Sequence, residues 1–308
     1  MVRDYSTLPT AAVNPPVNDI SHANDVPHTV ELVTAAVLQA LTSEAPTAPA
    51  VRLLLRRYAA TGRDEIRDAL EPALTQALDI WPQAERAEQS GWLILFAEAG
   101  GVSDDERVHE AAAGLAATLQ ASWGRQHPIA VALAGVDACL RAGVQEPGGN
   151  IQAALDELER LVGAAYQPGE GVALAAPGGR VRLADHVSAA SALITGFECT
   201  GRLPYSMLAE ELMQFAARML RDGAAPGFFD GETGSKPFAL NCEAASVLFR
   251  LAALHGSDEY LGAAVVAAGA DYGRDAANIL YELAPQAPRL GLEGAVFALA
   301  ASDWHSPL

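Results

Sequence analysis

Apolar positions in this chain return at helical spacing over most of its length. Leu53, Leu54 and Tyr58, followed by Ile66, Leu70, Leu74 and Leu78, keep a period near 3.6. No alternating stretch of β-branched residues survives a count, so strands are not expected. The opening segment is different. Pro9, Pro15, Pro16 and Pro27 punctuate residues 1–27, which show no helical period and predict an irregular arm. Residues 28–308 are expected to form a single helical domain.

Within that domain one grammar repeats. The segments at 53–74, 192–216 and 247–269 each run an apolar helix into a glycine (Gly62, Gly201, Gly256), then a few polar residues, then an alanine-rich helix. Glycine at a helix end suits a left-handed cap. The acids that follow suit the start of the next helix. Two weaker copies lie between, and a sixth begins at LGLEGAVFALAASDW. Hairpins recurring in this way stack into a solenoid or close into a toroid. About six is the number that closes an (α/α)6 toroid, and no polar end caps of a solenoid are evident. The first helix of each pair is the more apolar and is expected inside. The second carries the polar face (Asp156, Glu157, Glu159, Arg160 in one copy) and is expected outside.

Composition narrows the function classes. The 308 residues are 50% hydrophobic, enough for a sizeable core, and carry a net charge of -18. The basic residues are 19 Arg and a single Lys, Lys236. Such an acidic protein is a poor partner for nucleic acid or an anionic membrane. Mean hydropathy is only +0.13, and no run approaches the roughly 20 apolar residues of a spanning helix. The polar N-terminus lacks a hydrophobic signal core, so a soluble, cytoplasmic protein is expected. Cys139, Cys199 and Cys242 make neither a disulfide framework nor a zinc spacing. The P-loop, dinucleotide, G-x-S-x-G and H-E-x-x-H patterns are absent, and neither cofactor nor metal is expected. DDERVHE at 104–110 is expected to be a solvated helix start.

Three segments carry a family likeness: LADHVSAASALITGFECTGRLPY, PGFFDGETG and ALNCEAASVLFRLAALHGSDEYLGAA. Over roughly residues 180–305 the chain resembles the six-hairpin glycosidase-like domain of the YyaL/spermatogenesis-associated-protein-20 group, and more distantly the N-acylglucosamine 2-epimerase-like barrels. The resemblance implies an (α/α)6 barrel and places Asp185, Phe228 to Asp230, and Asn241 at its motif positions. It departs from the group at His186, where tyrosine is preferred, and at Cys242-Glu243, which replaces a small pair.

In a closed helical ring, the mouth is lined by the first turns of the inner helices and the loops leading into them. Polar residues there are the candidates. Trp92 opens one copy and Arg125 with His127 another; Asp185 and His186, Asn241 and Glu243, and Arg289 with Glu293 open the rest. Asp185, His186, Glu243 and His127 are the expected acid–base groups. Asn241, Asp230, Phe229, Trp92, Arg125, Arg289 and Glu293 are the expected substrate contacts. Aromatic-plus-carboxylate loops such as GAAPGFFDGETGSKPF suit sugar faces. Asp, Asn and Glu at helix starts are equally ordinary caps. The expected function is therefore a cavity enzyme acting on a sugar-like or polyhydroxylated small molecule, by hydrolysis between two carboxylates or by isomerisation with His127 and His186 as paired bases. The alternatives are a non-catalytic binding or scaffold protein on the same fold, and a toroidal enzyme for an apolar metabolite.

Overall fold

The computed structural model describes residues 25–145, 151–172, 181–267 and 269–304. The predicted arm, as far as residue 24, lies outside them. Thirteen α-helices follow: α1 (Asp25–Ala40), α2 (Ala48–Thr61), α3 (Asp64–Ile80), α4 (Gln89–Gly100), α5 (Glu106–Gln120), α6 (Ile129–Gln145), α7 (Ile151–Ala165), α8 (Leu183–Thr200), α9 (Leu203–Leu220), α10 (Phe238–His255), α11 (Asp258–Ala263), α12 (Tyr272–Leu283) and α13 (Ala295–Asp303). The described strands are β1 (Tyr166–Gln167) and β2 (Gly171–Val172), a short antiparallel pair. Helix α1 starts three residues before the predicted domain boundary, because Pro27 falls in its first turn, where proline's missing N–H costs nothing.

Local chemistry sets the ends. Thr47 caps α2 by accepting the Ala50 N–H, and Gly62 closes it at φ +64°. Gly201 closes α8 in the same left-handed way. Gly256 does not: it stays right-handed at φ -76°, and Ser257 caps the next helix immediately. Asp105 of DDERVHE accepts the Arg107 N–H and caps α5.

Six helices form a closed inner ring in which α2 packs on α4, α4 on α6, α6 on α8, α8 on α10, α10 on α13, and α13 back on α2. Five of them are more apolar than their outer partners, as expected; α2 is not, because it carries Arg52, Arg56 and Arg57. Helices α3, α5, α7, α9 and α12 each cover the inner helix before them. The sixth hairpin does not finish within the C-terminal sequence. Its outer helix is α1, which packs against α13 and the 3-10 segment Ala287–Gly294. The fold is an (α/α)6 toroid. Its main core, including Leu53, Leu54, Phe96, Leu133 and Phe297, fills the space between the inner and outer helices.

Candidate functional site

Cross-ring hydrogen bonds identify which face of each inner helix points at the ring axis. Arg52 donates to both Glu98 oxygens (Nε–Oε2 2.9 Å, Nη2–Oε1 2.6 Å), and Arg56 Nη2 reaches the same carboxylate at 2.8 Å. Arg56 also meets Asp303 at 3.3 Å, and Ser246 donates to Asp303. On the other side Asp137 accepts Arg141 Nε at 3.1 Å and the hydroxyls of Ser191 and Thr195. Arg250 Nη2 donates to Thr195 and to Glu198, each at 2.8 Å. Four arginines and four carboxylates thus belt the inner ring. Burial works against the charge on Glu98, but Arg52 and Arg56 prevail and hold its carboxyl at about 2. Asp137 is likewise held below its ordinary range, as Arg141 and Arg250 outweigh burial.

One residue of the predicted set shares this face. Glu243 stands three residues before Ser246 and seven before Arg250, the spacing of one helix face. It lies nearer the mouth than either. Ala130, Ala134, Ala184, Ser188 and Ala239 occupy the corresponding turns of α6, α8 and α10, so the face around Glu243 is lined by small side chains. Glu243 is open to solvent, yet protein crowds it from all around, and this loss of hydration raises its carboxyl to about 7. No compensating cation shifts it back.

Its sequence neighbour Asn241 is two residues away, hence on the opposite side of α10. There its Oδ1 accepts the Phe228 N–H at 2.7 Å while Nδ2 donates to the carbonyls of Phe228 and Pro237, each at 3.0 Å. Asn241 therefore fixes the loop before α10. Asp230 is occupied in the same loop: Oδ1 accepts the N–H groups of Glu232, Thr233 and Gly234, and with the Thr233 hydroxyl these hold it at about 2. Phe229 is half-buried beneath the Lys236 ammonium, 5.6 Å from the ring centre, and Phe228 is buried. Trp92 is a core residue stacked on Phe96. Arg125, Arg289 and Glu293 are exposed in the segments leading to α6 and α13.

His186 takes a different place from the one expected. It is 0% exposed, stacked on Phe215, with Nε2 accepting the Val172 N–H at 3.2 Å and Nδ1 donating to the Arg182 carbonyl at 2.9 Å. Both nitrogens are engaged, the neutral tautomer is fixed, and burial lowers its pKa. Gly171 makes room for the ring: at φ +75°, a Cβ there would lie 2.4 Å from His186 Nε2 and 2.6 Å from Phe215. Gly171→Ala is expected to cost about 1–3 kcal/mol by overpacking, with about 1 more from backbone strain. An unchanged denaturation midpoint would refute this packing account.

Asp185, 2% exposed, sits in the first turn of α8 and takes the backbone N–H of Ala130 at the start of α6. Its Oδ1 has no partner among the described residues, and burial, the largest influence, raises its carboxyl against the pull of Arg182. His127, three residues before Ala130, also keeps a buried Nε2 without a partner. The start of α6 thus collects two buried polar atoms with unused hydrogen-bonding capacity. Among the described residues no three His, Cys, Asp or Glu side chains group as a metal site, and no helix is long and apolar enough to cross a membrane.

The belt was not among the residues expected from first turns. Its sequence signal is a charged residue halfway along an alanine-rich inner helix, such as Asp137 and Arg141 four apart.

No protein-family model matches this sequence, and no curated protein does. Solved structures match the fold. An unsaturated glucuronyl hydrolase from Streptococcus agalactiae superimposes with a TM-score of 0.69 at 9% identity, over 94% of this chain and 92% of that one. An unsaturated glucuronyl hydrolase from Bacillus sp. GL1, responsible for the degradation of glycosaminoglycan, gives 0.64 at 11% identity, over 85% and 84%. A variant labelled UGL, with dGlcA-Glc-Rha-Glc, gives the same values. These hydrolases are six-hairpin glycosidase-like (α/α)6 barrels, and this chain has their fold.

Proposed function

We propose that the chain is a hydrolase of sugar-like, polyhydroxylated small molecules, working at the mouth of the ring with Glu243 as its general acid. The observation that carries this is a solvent-accessible carboxyl on the axis face, held at about 7 among small side chains. Near neutral pH such a group is poised between its two protonation states, where proton transfer in either direction is efficient. In glycoside cleavage, protonated Glu243 gives its proton to the leaving oxygen while a second group takes one from the attacking water. Asp185 and His127, with unused capacity at the start of α6, supply the second acid–base group. Hydrolysis is favoured over isomerisation with paired histidines because both His186 nitrogens are already engaged. The likeness to hydrolases of unsaturated glucuronyl compounds supports a saccharide, and makes oligosaccharides with an unsaturated uronyl end the first to try. The ionic belt speaks against an apolar metabolite.

The test is product release from a panel of oligosaccharides, unsaturated uronyl ends included, by wild type and by Glu243→Gln. Turnover that disappears in the variant supports the reading. A panel left intact by the wild type, or turned over equally by the variant, defeats it, and the binding-protein alternative then stands.

A further inference from the structure

A cavity lies at the end of the ring opposite the mouth. It measures about 220 Å³ and opens between the last turns of α4, α6 and α8. On α10, Glu243 and Arg250 are seven residues apart, about 10 Å of helix. Arg250 bonds to Thr195 and Glu198, which line this cavity, so the belt stands between it and the mouth.

The chemistry of the lining is specific. Glu98 already holds two guanidinium groups and Glu198 holds that of Arg250, so both carboxylates are neutralised while keeping spare lone pairs. Arg141 spends Nε on Asp137 and Nη2 on Ser191; Nη1 has no partner among the described residues. One guanidinium edge therefore faces the cavity between two acceptors, beside the apolar side chains of Ile94 and Val144. A hydroxyl can accept from Arg141 and donate to either glutamate at once. A net anion would meet the two carboxylates, and a net cation would meet Arg141. The apolar wall suits the C–H face of a ring. At about 220 Å³ the space is smaller than the pockets of about 300–1,000 Å³ that take drug-sized ligands.

We infer that this far cavity binds one neutral, polyhydroxylated ring of monosaccharide size, separately from the chemistry at Glu243. It does not rest on the hydrolase reading, because none of its lining residues belongs to the mouth.

Cys199 reports on it. It lines the cavity and is half-buried, whereas Cys139 and Cys242 are buried. The experiment is calorimetric titration with glucose, galactose and mannose, against glucuronate and glucosamine as charged counterparts, with alkylation of Cys199 by iodoacetamide followed in parallel. The proteins are the wild type, Glu243→Gln and Val144→Trp. Val144 is 63% exposed, so the larger ring can be accepted without disturbing the core, as a thermal melt will show. At least one neutral sugar is expected to bind and to slow alkylation of Cys199, with both charged sugars weaker by about tenfold or more. That binding should stay within about twofold in Glu243→Gln and weaken at least about tenfold in Val144→Trp. Should Val144→Trp fail to fold, protection of Cys199 in the wild type and in Glu243→Gln decides alone. The inference is overturned if no neutral sugar protects Cys199, if a charged sugar binds as well as the neutral ones, or if binding is lost in Glu243→Gln and kept in Val144→Trp.

Discussion

Glu243→Gln is expected to lower turnover of any glycosidic substrate by about 10²–10⁴-fold, the usual worth of one positioned acid–base group. The amide keeps the shape and cannot give a proton. Wild-type activity governed by this acid should fall as pH rises through about 7, and that limb should vanish from the residual activity of the variant. The same substitution should raise stability. The folded carboxyl is raised from 4.5 to about 7, so the folded state binds its proton more tightly than the unfolded chain. Ionisation therefore costs stability progressively between about pH 4.5 and 7, and the full cost persists above that window. Glu243→Gln should melt higher than wild type above pH 7 and no higher below pH 4.5. A variant that is inactive but equally stable at every pH would show that Glu243 is not desolvated in solution.

Asp137→Ala is expected to be among the most destabilising single changes in the chain, at about 3–5 kcal/mol. That is a large part of the roughly 5–15 kcal/mol that holds a typical protein folded. Asp137 is buried, and its loss leaves the Arg141 guanidinium and the Ser191 and Thr195 hydroxyls without their shared acceptor and removes a negative charge from beside Arg250. The cost arises from uncompensated charge, not from the worth of the ion pair itself, since buried pairs often only break even against apolar substitutes. Asp137→Asn keeps an acceptor and should lose less. Urea midpoints at constant slope measure both. A change below about 1 kcal/mol for Asp137→Ala would mean that water replaces the carboxylate and the belt is not tight.

Much of the architecture is legible in the chain. The turn glycines mark the hairpins because a left-handed cap strongly favours glycine, as Gly62 and Gly201 show, while Gly256 does the same job with an ordinary right-handed backbone. In most pairs the apolar bias of the first helix marks the inner ring, because those helices are packed by two inner neighbours and an outer one; α2, with three arginines, is inner without that bias. The site is only partly legible. A filter for polar residues in first turns collects Asn241 and Glu243 together, although a step of two residues sends them to opposite sides of α10. It collects His186, which serves the packing of β2 and α9 against α8, and Asp230, which builds its own turn. It passes over Asp137, Arg141 and Arg250, since each reads singly as a charge on an otherwise apolar helix.

By itself, then, the sequence determined what depends on local chemistry: helix, turn, the inside–outside order of most hairpins, and a count of repeats sufficient to close a ring. Only the tertiary structure decided what depends on rotation and on distance along the chain. It paired α1 with α13 across most of the sequence, and it set which side chain of each inner helix faces the axis. It also left Glu243 without a countercharge while pairing the acids of the belt with arginines. The reason is physical. Periodicity reports that a helix has a buried face, but the loss of water around a carboxyl, and the presence of a guanidinium to offset it, are properties of neighbours that the chain brings together only on folding.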